Sequence, residues 1–140
     1  MKKLLLIWLS PLLLFSQFTD DFTSFEGWHG DTADFTLDST WALQLDAPPQ
    51  TGKSIIWHSS NALMNGHWEL NISMGFNPSS SNYSKIYLSA DSLGNGYYVK
   101  LGGTDDNISL YKTTFGQDTK LIDGTTDFLD LNAISLTLMV

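Results

Sequence analysis

The 140-residue chain contains no cysteine. That excludes a disulfide framework, thiolate metal ligation and a cysteine nucleophile, so stability must come from an ordinary hydrophobic core. Arginine is also missing, and the few lysines face 15 acidic residues, leaving a formal charge of −8. Such a surface repels nucleic acid, whose phosphates are held by Lys and Arg, and argues against docking on anionic lipid. Glutamate occurs only twice, as Glu26 and Glu69. Glycoside hydrolysis needs a carboxylate pair across the sugar bond, and no E-x-D-x-x-E run supplies one. His29, His58 and His67 show no zinc-site spacing, and G-x-S-x-G is absent although Ser59 and Ser60 follow His58. No motif assembles the groups that acid–base or nucleophilic chemistry requires, so a non-enzymatic protein is expected.

What is present begins with MKKLLLIWLSPLLLFSQ: Lys2 and Lys3, an apolar run from Leu4 to Phe15, then Ser16 and Gln17. This is the layout of a secretory signal peptide over residues 1–17. The run is shorter than the roughly 20 residues a bilayer-spanning helix needs, and Pro11 interrupts it. The mature chain is therefore expected to be secreted or held at the cell surface without membrane insertion. Loss of Lys2 and Lys3 would take the formal charge from −8 to −10.

Alternation with period two dominates the remainder. In WELNISMGF, Trp68, Leu70, Ile72, Met74 and Phe76 share one face while Glu69, Asn71 and Ser73 share the other, the pattern of a half-buried strand. Ile134, Leu136, Leu138 and Val140 repeat it at the end of the chain. Weaker runs cover 34–37, 41–45, 54–58, 83–90, 97–101, 108–112 and 119–122. Between them lie DAPPQTG, NPSSSN, DSLGNG, GGTDDN and TTFGQD, where Gly and Asn accept positive φ and Pro presets a turn. About nine short strands at this spacing predict an all-β fold, an antiparallel β-sandwich over residues 18–140 as one domain. Because the last strand alternates up to Val140 with no closing turn, the chain is expected to be a fragment of a longer product.

Three successive strands place tyrosine and lysine on one side. Ile86 and Leu88 take one parity and leave Tyr83, Lys85 and Tyr87 on the other; Tyr97, Val99 and Leu101 point to the core, so Tyr98 and Lys100 point away; Ile108 and Leu110 leave Ser109 and Tyr111 outward. If the loop at 102–107 closes a hairpin with Leu101 opposite Ile108, then Tyr98 faces Tyr111 and Lys100 faces Ser109. Cross-strand neighbours lie about 4.5–5.5 Å apart at Cβ, so the tyrosines would form an aromatic patch able to stack on a sugar ring. Tyr87, Tyr98, Tyr111, Lys85 and Lys100 are the candidate contact residues. A structural use of the same face, covered by a loop or a neighbouring domain, is the competing reading.

Trp41, Trp57 and Trp68 share parity with core residues, whereas Trp28, in the loop from Gly27 to Gly30, is expected to be exposed and is a secondary ligand candidate. Asp105, Asp106 and Asn107 form an oxygen-rich loop that could contribute to a calcium site, and Asp31, Asp34 and Asp38 form a second acidic cluster. Calcium wants six to eight oxygens, so three side chains would not suffice alone. Turn chemistry, with Asp and Asn bonding back to their own backbone, is the alternative. Asn71, Asn82 and Asn107 each stand in an N-x-S sequence.

The segment NPSSSNYSKIYLSADSLGNGYYVKLGGTDDNISLYK, with HWELNISMGF and WHGDTADFTLD before it, resembles the N-terminal domain of large secreted bacterial proteins that carry lamin-tail domains downstream. The resemblance runs from about Phe22 to the end of the chain and implies a concanavalin A-like, laminin G-like jelly roll with no catalytic residues. A lamin-tail region and the strands that should close the jelly roll are expected in the longer product of which this chain would be a fragment. The resulting expectation is a secreted, non-catalytic module that contacts polysaccharide, a surface glycoprotein or extracellular matrix. A ligand-free structural spacer and a fragment of a glycoside hydrolase are the alternatives. Further domains of the same longer chain would be its covalent partners.

Overall fold

A computed structural model describes residues 19–40, 42–48, 50–60 and 66–140. The signal-peptide reading of residues 1–17 and the core placement of Trp41 lie outside the described residues. The fold is all-β and every strand pairing is antiparallel, as the alternation predicts. Among the described residues no helix is long and apolar enough to cross a membrane. The chain divides into two compact units on either side of the boundary between residues 65 and 66.

Among its described residues the first unit holds four three-residue strands. β1 (Trp28–Gly30) pairs with β4 (Ile56–His58), and β2 (Phe35–Leu37) pairs with β3 (Leu43–Leu45). An Asp38 carboxylate oxygen closes the β2–β3 turn by accepting from the backbone N–H groups of Thr40 and Ala42 at 2.8 and 3.0 Å. Two tryptophan expectations are corrected here. Trp57 is 52% exposed and Ile55 is exposed too, because β4 turns Ile56 and His58 inward; Trp57 packs its ring on His29 at 4.5 Å instead. Trp28 is half-buried in a strand, with its indole N–H donating to Asp20 Oδ2 at 2.6 Å and its ring against Phe22 and His58.

The second unit holds two sheets. β5 (Glu69–Met74) pairs with β10 (Ile134–Met139), setting Met74 opposite Ile134, Ile72 opposite Leu136 and Leu70 opposite Leu138. Their other faces carry Glu69, Asn71, Ser73, Ser135 and Thr137, all exposed, with Thr137 Oγ1 donating to Asn71 Oδ1 at 2.7 Å. β6 (Ser84–Ala90), β7 (Gly96–Leu101), β8 (Ile108–Thr114) and β9 (Gln117–Ile122) form a four-stranded meander in that order. One core joins the two sheets: Met74, Leu101, Leu129 and Ile134 are buried together, with Ile72, Phe76, Ile86, Ile108 and Leu136 packed around them. Leu129 reaches it from the β9–β10 connection, whose Asp127 and Leu129 N–H groups donate to the carbonyls of Asp105 and Asp106 at 2.9 and 2.7 Å.

Candidate functional site

The meander sets the tyrosine face in register. Leu101 lies opposite Ile108, Lys100 opposite Ser109 and Tyr98 opposite Tyr111, the register the turn residues of the 102–107 loop predict. On the other side Tyr87 lies opposite Tyr98 and Lys85 opposite Lys100. Alternation sends these side chains to the face away from Leu101 and Ile86, and β9 adds Asp118 and Lys120, opposite Thr113 and Tyr111.

The three central rings are in contact. Tyr98 stacks on Tyr111 at 5.2 Å between centroids and 5° between planes, and packs against Tyr87 at 5.0 Å. The Lys85 ammonium sits 4.2 Å from the centre of the Tyr98 ring. The Tyr98 hydroxyl reaches across β8 to donate to Asp118 Oδ2 at 2.7 Å, and Lys85 Nζ meets the same oxygen at 3.3 Å. Tyr98 is consequently only 1% exposed, while Tyr97, on the opposite parity, is 41% exposed. The expectation that Tyr98 offers a free stacking surface is thus corrected: its own neighbours already occupy it.

Electrostatics follow from that packing. Burial raises the Tyr98 pKa to about 12, with the Asp118 hydrogen bond adding to the rise. Burial pushes the Asp118 carboxyl up, but hydrogen bonds from Tyr98, Lys85 and Thr113 outweigh it and hold the pKa below the ordinary 3.8. For Lys85, burial alone favours the neutral amine, and the contacts with Tyr98 and Asp118 reverse this, so its pKa is raised. Two lysines directly opposite would repel. Lys85 and Lys100 separate instead, Lys85 toward Asp118 and Lys100 onto the Tyr83 ring at 4.2 Å. Gly103, at φ +115°, makes room for this, since a Cβ there would come within 2.7 Å of Lys100 Nζ.

What remains open lies at the border of the face. Tyr87 is 46% and Tyr83 43% exposed, and Tyr111 is half-buried. Tyr83 shares the parity of Lys85 and Tyr87, which makes it legible in the sequence as part of this face. Asp118 and Lys120 carry no such local signal, because they arrive from a strand three places along the sheet. Trp28 belongs to the other unit and is held by Asp20, Phe22 and His58.

The oxygen-rich loop is built as a turn. Asn107 is buried, and its amide donates to Asp123 Oδ1 at 3.0 Å and to the Gly124 carbonyl at 3.2 Å. The buried Ser109 hydroxyl lies 3.0 Å from Asn107 Oδ1 and 3.1 Å from Asp123 Oδ1. Lys120 Nζ sits 2.7 Å from Asp123 and 3.8 Å from Asp105, placing a cation beside these carboxylates. Asp106, at φ +40°, has one buried carboxylate oxygen without a hydrogen-bond partner. In the other acidic cluster, Asp31 accepts from the Ile55 N–H, Asp34 from the Ser54 hydroxyl and Asp38 from its own turn. Among the described residues no three His, Asp or Glu side chains converge as a metal site would require.

Comparison with known proteins finds no matching family model, curated protein or solved structure.

Proposed function

We propose that the chain is an exported, non-catalytic module of the concanavalin A-like, laminin G-like kind. It binds a carbohydrate or extracellular-matrix polymer at a bacterial surface through the tyrosine face of the four-stranded sheet. The observation that carries this reading is the exposure of Tyr87 in β6 and of Tyr83 directly before it, beside lysine and tyrosine groups able to hydrogen-bond sugar hydroxyls. Exposed aromatic side chains with a polar tip suit a ligand that presents both an apolar face and hydroxyls. The non-catalytic part rests on the scarcity of glutamate and on Glu69 standing alone on the exposed face of β5.

A structural reading is favoured by one specific observation, the sealing of Tyr98 by Tyr87, Tyr111, Lys85 and Asp118. In that reading the tyrosines hold the sheet and the module spaces its neighbours. Polysaccharide pull-down and glycan-array binding by the intact protein separate the two. Retention that disappears in a Tyr83→Ala, Tyr87→Ala double variant with an unchanged circular dichroism spectrum supports binding; no retention on any glycan leaves the spacer.

A further inference from the structure

Tyr83 and Tyr87 are each covered from the same side. The Lys100 ammonium sits over the Tyr83 ring at 4.2 Å, and Tyr98 packs against Tyr87 at 5.0 Å. Both covering residues belong to β7, while β6 is the outermost strand of its sheet and no described strand pairs with its far edge. The uncovered sides of the two rings therefore look out over the free edge of β6, away from the Tyr98–Tyr111 stack. Four residues of extended chain place them about 13 Å apart at roughly 3.3 Å per residue. A single pyranose ring does not span that distance, so the two tyrosines serve different sugars. The irregularity between Tyr87 and Ser89 re-aims the strand directly after the second ring, as β-bulges do.

Charge narrows the ligand further. The chain is formally −8. On this face Lys85 is paired with Asp118 at 3.3 Å and Lys120 with Asp123 at 2.7 Å, and Lys100 lies on Tyr83. An acidic polymer approaching such a surface meets net repulsion rather than steering.

Resting on the carbohydrate reading above, we infer that the ligand is a neutral, linear polysaccharide laid along the outer edge of β6, with Tyr83 and Tyr87 stacking on sugars that are not adjacent in the chain. Lys85, between them in sequence, holds the face in shape through Asp118 and is not the anchor.

The test is a length series of linear gluco-, xylo-, manno- and N-acetylglucosamine oligosaccharides, from disaccharide to hexasaccharide, with polygalacturonate as the acidic comparison. Calorimetry on the intact protein should show affinity for one neutral series rising steeply beyond the disaccharide and little altered by added salt. Tyr83→Ala and Tyr87→Ala should each weaken the hexasaccharide by about three- to tenfold. Tyr87→Phe, which keeps the ring, should retain most of the affinity, and Tyr97→Ala, exposed on the opposite face of the sheet, should leave it in place. Equal affinity for disaccharide and hexasaccharide, loss through Tyr97→Ala alone, or a salt-sensitive preference for polygalacturonate would overturn this inference and leave carbohydrate binding standing. Absence of binding to any of these glycans would overturn both.

Discussion

Tyr98 links the chemistry of this face to its stability. Because its pKa is raised from the ordinary 10.0 to about 12, the folded protein keeps the proton after the unfolded chain has released it. The contribution is complete below pH 10 and falls as pH rises from 10 to 12. Lys85, which despite burial is raised from its ordinary 10.5 by its contacts with Tyr98 and Asp118, adds to the loss as pH rises above that value. Asp118 acts in the opposite sense: its depressed carboxyl contributes above the ordinary 3.8 and the contribution disappears as pH falls through the lower folded value. Thermal unfolding followed against pH should therefore show a decline above pH 10 that Tyr98→Phe flattens, since phenylalanine has no hydroxyl to ionise. Tyr98→Ala, which empties a site only 1% exposed, should cost about 3–5 kcal/mol by denaturant titration. Tyr87→Ala, 46% exposed in the parent, should cost under about 1 kcal/mol and show itself in binding instead.

The hairpins explain how far the sheet could be read from the chain. The pairings of Tyr98 with Tyr111 and of Lys100 with Ser109 follow from alternation and from a Gly- and Asp-rich loop, both local signals. The burial of Tyr98 follows from Asp118, twenty positions away and two strands over, so the alternation that correctly placed the ring on the outer face could not say that it is sealed there. β1 stayed hidden because three residues ending in Gly30 carry no alternation, and β4 is short enough that Trp57 and Ile56 compete for the inward parity. The turn reading of the Asp105–Asn107 loop predicts that Asn107 is structural. Replacing it with alanine leaves Ser109, Asp123 and the Gly124 carbonyl without its amide, and should destabilise by about 1–3 kcal/mol in denaturant titration. Addition of calcium or of a chelator should leave the melting temperature of the parent protein where it is, and a clear upward shift with calcium would reassign the loop.

Two compact units make up the chain, and the second has its own core of Met74, Leu101, Leu129 and Ile134. Residues 66–140 expressed alone should accordingly unfold in one cooperative transition with dispersed amide resonances, and a molten spectrum would show that the unit depends on what precedes it. If the binding strip lies on β6, the isolated unit should also retain the full protein's affinity for polysaccharide. The central claim is that Tyr83 and Tyr87 meet the ligand while Tyr98 holds the sheet. Ring resonances of selectively labelled tyrosines, titrated with a linear polysaccharide that the protein retains, test it most directly. Large shifts are expected for Tyr83 and Tyr87 and little change for Tyr98; shifts centred on Tyr98 and Tyr111, or unmoved tyrosines in a protein that has bound its glycan, would refute these roles.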